Sequence, residues 1–218
     1  MRQYKSKVDI IYEILMDKIA KGAYKEDNRL VISQIAKQNH VSDIPVREAI
    51  RRLESEGYVE INANQSATVR EFSDEFIDEI FHIKGVLEGY ATRLSVDYLT
   101  EHDIKKLRAK NKLMRKAGEE RNYNKFSQLN MQFHLDIYKS APHHELYLMI
   151  CDLWKKWRIT RWVFSIAPDR MENSFLEHEE ILRLIEEKQR DQVELYVREH
   201  KFKSGLAFTK NIGYTEVR

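Results

Sequence analysis

Residues 42–62 read SDIPVREAIRRLESEGYVEIN. Ser42 is a good helix N-cap, and Pro45 falls in the first turn, where its missing N–H is tolerated. A helix is predicted over about 43–56, ending at Gly57. YVEI and ATV then read as two short strands around a turn at Asn62–Ser66. Upstream, VDIIYEILMDKIA places apolar residues at 8, 11, 14, 15 and 19, which is helical spacing that stops at Gly22. Residues 24–30 read as a polar connection, Ser33 as the N-cap-like start of a short helix, and Asn39–Val41 as a turn. Helix, helix, turn, helix and β-hairpin make a winged helix-turn-helix. That arrangement seats its second turn helix in a major groove and lets the hairpin touch the flanking backbone.

From Ser73 onward every signal is helical. Helices are predicted near 73–97, 101–117, 122–140, 143–165, 171–187 and 190–209, with Asp74, Thr100 and Asp191 as caps and Pro142 and Pro168 at two boundaries. The expected fold is therefore mainly α. A winged helix-turn-helix over 1–70 is followed by an all-α six-helix bundle over 74–212, large enough to hold its own core.

Bulk composition narrows the function. The 218 residues are 33% charged and 42% hydrophobic, with only 7 Gly and 3 Pro, which disfavours a turn-rich β fold. Net charge is +2, so a nucleic-acid footprint must be a local patch. Cys151 is alone, which rules out an intrachain disulfide and fits a reducing compartment. No signal-peptide pattern and no membrane-length apolar run is present, so a cytoplasmic protein with no membrane partner is expected.

Several stretches carry a family resemblance. PVREAIRRLESEGYVE and the preceding IAKQ resemble the DNA-binding domain of the GntR family of bacterial transcription regulators. VLEGYATRLS, NMQFHLDIY, FLEHEEIL and VREHKFKSG resemble the FCD ligand-sensing domain of its FadR-type subfamily. The resemblance implies a homodimeric repressor or activator, with repressor preferred. Its affinity for a double-stranded DNA operator would be set by a small carboxylic-acid effector. It also implies a divalent metal inside the bundle.

On the predicted reading helix, Arg47 and Arg51 are four apart and share a face, with Arg52 beside them. Arginine suits a bidentate grip on phosphate or guanine. The same residues could instead pair internally, Arg47 with Asp43, Arg51 with Glu48 or Glu54, and Arg52 with Glu48 or Glu56. Ser42, Asp43, Pro45, Arg47, Arg51, Arg52 and Ser66 are the candidate DNA-binding residues. The resemblance implies Arg where Asp43 and Ser33 stand, and Gly near Ser66. Two readings stay open: an altered operator, with Asp43 accepting from cytosine, or weakened DNA binding.

In the bundle, Asn130 and His134 are four apart, and His178 and His200 lie on the last two predicted helices. Three imidazoles and a carbonyl oxygen suit a borderline ion such as Zn²⁺ or Ni²⁺. The resemblance implies Asp in place of Asn130. A metal-free pocket in which the histidines bind an acid directly is the alternative. Lys84 in FHIKGVLE, and Arg158 and Arg161 in WRITRW, are candidate effector-binding cations. Trp154, Trp157 and Trp162 read as core or dimer contact, with a pocket wall as the alternative. A second function class is also open, a metal-dependent hydrolase using the three histidines.

Overall fold

In the computed structural model, the residues described are 5–20, 23–24, 29–62, 67–70, 73–157, 160 and 163–211. The chain splits into two compact units, the second being Asp74–Asn211. The first is organised by three helices: α1 (Lys7–Ala20), α2 (Ile32–Gln38) and α3 (Asp43–Ser55). Val46, Ala49, Ile50 and Leu53 of α3 are buried, as are Ile11, Leu15, Met16 and Ile19 of α1. Their three-and-four spacing turns one apolar stripe of each helix into a shared core. At the end of α3, Gly57 adopts φ +80°. Its N–H bonds Glu54 O at 2.9 Å, and Tyr58 N–H bonds Leu53 O at 2.9 Å. This double closure needs a left-handed residue, which glycine supplies without a Cβ penalty. It turns the chain directly into the wing.

The wing strands β2 (Val59–Ile61) and β3 (Ala67–Val69) pair antiparallel, with Val59 opposite Val69 and Ile61 opposite Ala67. A further strand, β1 (Arg29–Leu30), pairs with the other edge of β3, giving sheet order β1-β3-β2. This corrects the expectation of a polar connection over 24–30. A two-residue strand is too short to show alternation, and only Leu30, buried on the core side, marks it. Ser33 is also corrected. It lies inside α2, whose N-cap is Val31 with no side-chain cap bond. The wing tip over 63–66, Ser66 included, lies outside the described residues.

The second unit contains α4 (Asp74–Ser95), α5 (Glu101–Glu119), α6 (Tyr123–Lys139), α7 (His144–Lys156), α8 (Val163–Ile166), α9 (Arg170–Glu186) and α10 (Arg190–Asn211). Thr100 caps α5 in a reciprocal capping box with Asp103, as expected from its position. Asp191 instead sits in the first turn of α10. The single helix expected over 143–165 is two, α7 and α8. Trp157 leaves helical geometry at φ −110°, ψ 53°. Both the backbone N–H and the hydroxyl of Thr160 bond the Trp157 carbonyl, at 3.2 and 2.9 Å.

α4 and α10 pack closely because glycines line their contact. A Cβ at Gly85 would lie 2.6 Å from the Phe202 ring, and one at Gly205 2.8 Å from Phe81 Cβ. One at Gly89 would lie 2.8 Å from the backbone carbonyl of Glu194, which has no rotamer to escape into. Gly89→Val is therefore expected to destabilise the protein by about 1–3 kcal/mol through overpacking. Urea melts would show this as a lower midpoint at unchanged slope. No described helix is long and apolar enough to cross a membrane.

Candidate functional site

The surface of α3 divides the expected DNA-binding residues into two groups. Ser42, Asp43, Arg47 and Arg51 are exposed, together with Ile44 and Glu48. Residues 44, 47, 48 and 51 follow the i, i+3, i+4, i+7 pattern, so they form one continuous outward strip. Among the described residues, neither Arg47 nor Arg51 forms an ion pair, so both guanidiniums remain available to an anion. Pro45 is buried and shapes the helix start rather than its surface. Arg52 turns inward. It pairs with Asp9 at 3.1 Å and Glu56 at 3.3 Å, and its guanidinium lies 4.0 Å from the centre of the Tyr12 ring. The structure thus ties Arg52 to α1 rather than to the outward strip. Ile44, 67% exposed, was missed by the sequence reading. Its signal was an apolar residue on the polar face of the reading helix.

Inside the second unit, α6, α9 and α10 deliver His134, His178 and His200 to one point. Their ring centres form a near-equilateral triangle of 5.0, 5.2 and 5.1 Å. One ligand atom from each lies within 4.8 Å of the others. All three rings are buried.

Partners outside the triangle fix each imidazole. His178 Nδ1 lies 3.1 Å from Asn111 Oδ1. The Asn111 amide nitrogen donates to Glu179 at 2.6 Å and to the Phe175 carbonyl at 3.1 Å, so its oxygen must accept from His178. His200 Nδ1 donates to Glu177 at 2.6 Å. The Tyr138 hydroxyl donates to Glu88 at 2.8 Å, so its oxygen accepts from His134 Nδ1, 3.2 Å away. Each ring is therefore a neutral Nδ1–H tautomer with its Nε2 lone pair unspent, as in second-shell orientation of metal-binding histidines. His134 Nε2, His178 Nε2 and Asn130 Oδ1 are buried acceptors with no hydrogen-bond partner among the described residues. Unsatisfied buried acceptors cost free energy, and imidazole acceptors gathered within one triangle fit a bound cation.

Burial holds all three imidazoles well below their ordinary pKa of 6.5, and Lys201 pushes the same way on each. Neutral imidazole is the form a metal requires. In the metal-free protein, the unfolded chain binds more protons than the folded chain below pH 6.5. This contribution is complete above that pH and is lost as pH falls. Each histidine is expected to remove up to ~1.4 kcal/mol per pH unit, read as a falling urea midpoint on acidification.

Beside the triangle lies a charged cluster. Glu88 is 1% exposed and meets Lys201 at 2.9 Å and Lys84 at 3.4 Å. Burial alone would raise the Glu88 carboxyl, but Lys201 and Lys84 outweigh it and hold it below the usual range. The Lys84 ammonium sits 3.6 Å over the Trp154 ring, which makes that tryptophan a pocket wall. A cavity of ≈ 20 Å³ opens among Lys84, Asn130, Trp154, His200 and Lys201, room for one water-sized occupant. Arg158 and Arg161 lie outside the described residues.

The sequence reading found the histidines, Asn130 and Lys84 but missed the residues that hold them. Tyr138 is four residues after His134, Glu88 four after Lys84, and Lys201 next to His200. Those spacings were a usable signal. Asn111 on α5, and Glu177 and Arg170 on α9, were not legible, because the histidines they contact, His178 for the first and His200 for the other two, come from other helices.

A winged helix-turn-helix with an outward arginine strip, followed by a helical unit that buries a three-histidine cluster, defines the class of a DNA-binding transcription regulator. Residues 79–201 match the FCD domain family, and residues 7–69 match the family described as bacterial regulatory proteins, gntR family. The chain belongs to the GntR family, FadR-type, with an N-terminal helix-turn-helix and a C-terminal FCD domain. Members are transcription regulators and not enzymes, which sets the hydrolase alternative aside.

Among its relatives, the HTH-type transcriptional regulator McbR of Escherichia coli is 33% identical over 140 residues, 64% of this chain and 63% of that one. The Nta operon transcriptional regulator of Aminobacter aminovorans is 24% identical over 177 residues, 81% of this chain and 82% of that one. The solved structure of E. coli McbR/YncC covers 95% of this chain and 98% of its own, with TM-score 0.65 and 25% identity.

Proposed function

We propose that this regulator is a homodimeric repressor released from its operator by a small carboxylic acid. The supporting observation is the interior pocket, where three oriented imidazoles and Asn130 adjoin the buried ammonium groups of Lys84 and Lys201. Asn130, His134, His178 and His200 would hold a divalent ion, Zn²⁺ or Ni²⁺, through neutral N and O donors. When bound, the ion supplies a Lewis-acidic point for a carboxylate oxygen. Lys84 and Lys201 hold the rest of the anion's charge, and Arg158 and Arg161 are the remaining candidate cations. The cavity is smaller than an organic acid, so binding requires the pocket walls to move. That movement is the means by which ligand binding biases the winged helices.

On the DNA side, Arg47 and Arg51 anchor α3 in the major groove, with Ser42 and the helix N-terminus on phosphate. Ser66 belongs to the wing contact. Asp43 and Ile44 give this chain its own reading, since a carboxylate accepts from cytosine and an isoleucine meets a thymine methyl. Two chains are expected because paired half-sites need paired readers.

Selection of operators from random duplex DNA, followed by anisotropy titration, tests this reading. Asp43→Arg is expected to change the preferred bases. A uniform gain on every sequence would show instead that Asp43 only weakens phosphate contact. Acids that stabilise the protein in melts are expected to weaken operator binding by ~5–150-fold. If no acid that raises the melting temperature changes operator affinity, the effector reading fails.

A further inference from the structure

We propose that the pocket retains a divalent cation only together with a carboxylate anion, so that metal and acid bind as a unit. This inference rests on the metal-and-acid reading of the pocket and adds a constraint from charge. The proposed ligands Asn130, His134, His178 and His200 are all neutral donors. Around them the buried charges are Lys84, Lys201 and Arg170 against Glu88 and Glu177. Glu88 is already shared between two lysines. Glu177 is engaged by Arg170 at 2.5 Å and by His200 Nδ1 at 2.6 Å, with the half-exposed Lys203 4.0 Å away. Among the described residues, the buried set is therefore one positive charge in excess before any ion enters.

A dication would raise that excess to three, in a region from which water is largely excluded. Buried charge without a counter-charge is costly, and opposite charge must be found nearby. An aspartate at position 130 would supply part of it, but Asn130 supplies only an amide oxygen. The groups around the ≈ 20 Å³ cavity point to the missing component. Two lysines, the Asn130 side chain and His200 border one space, which suits a carboxylate bridging the ammonium groups and the ion. Linkage then requires that the anion tighten the metal and the metal tighten the anion by the same factor. The sensor would respond to coincidence of the two ligands rather than to either alone.

The test measures zinc affinity of the chelator-stripped full chain by competition with a chromophoric chelator, with and without saturating acetate. Two results are expected together. Acetate tightens zinc binding to the unaltered protein by ~10-fold or more, within the usual span of coupling. Lys201→Met and Asn130→Asp each tighten zinc without acetate and shrink the acetate effect. The two variants change charge at separate places, so poor folding of one leaves the other as the test. Zinc affinity that is the same with and without acetate overturns the coupling while leaving the metal site standing. Zinc affinity unchanged by Asn130→Asp overturns the charge argument. If zinc binds none of the three proteins, even with acetate, the metal reading itself falls and this inference with it.

Discussion

Glu88→Ala is expected to lower the unfolding free energy by about 3–5 kcal/mol at neutral pH, the usual cost of breaking a buried ion pair from one side. Glu88 lies between Lys84 and Lys201, and all three are nearly inaccessible to water. Removing the carboxylate leaves two ammonium groups facing each other in a low-dielectric interior. It also takes away the acceptor of the Tyr138 hydroxyl, which positions His134. The stacked Lys84–Trp154 contact recovers only a small part of the loss. Chemical denaturation of the unaltered protein, Glu88→Ala and the triple variant Glu88→Leu/Lys84→Met/Lys201→Met measures this. The triple variant is expected to regain much of the stability, because removing the carboxylate together with both of its ammonium partners avoids an uncompensated charge. A loss under about 1 kcal/mol for Glu88→Ala would mean that the cluster is not ionised as described.

Arg47→Ala should have the largest effect on DNA. A good bidentate base contact is worth ~1–3 kcal/mol, and a dimer would lose two of them. Operator affinity is expected to fall by ~30-fold to ~10⁴-fold, with melting behaviour unchanged because Arg47 is exposed and forms no ion pair within the described residues. Arg52→Ala should do the reverse. Its contacts with Tyr12, Asp9 and Glu56 lie within the winged unit, so stability falls modestly while operator affinity holds. Anisotropy titrations at one fixed salt concentration, paired with melts, separate the two roles. Equal losses of affinity for Arg47→Ala and Arg52→Ala would sink the division of α3 into an outward strip and an inward anchor.

The histidine set was legible through the family resemblance, while sequence by itself determined the order of the three helices and two wing strands of the winged unit and the mainly helical nature of the described residues beyond Ser73. Those elements were legible because they rest on local rules. Apolar spacing, Ser42 before a first-turn Pro45, and Gly57 after the last turn each act within a few residues. Elements whose cause lay elsewhere were not legible. Strand β1 exists because β3 offers it an edge, and two residues carry no period of their own. The break between α7 and α8 lies where Trp157 leaves helical geometry, which no composition count exposes.

The same division holds at the sites. Spacing alone could not tell which of three arginines on α3 is outward, because Arg52 is decided by Tyr12 and Asp9, far back along the chain on α1. The family resemblance could nominate His134, His178 and His200, but only the tertiary structure decided their protonation and direction. Each Nδ1 is held by a group set by packing: Tyr138 through its bond to Glu88, Asn111 on α5, and Glu177 across the α9–α10 contact. Hydrogen-bond direction, burial and net interior charge are properties of groups brought together from distant parts of the chain. They appear only once the chain has folded.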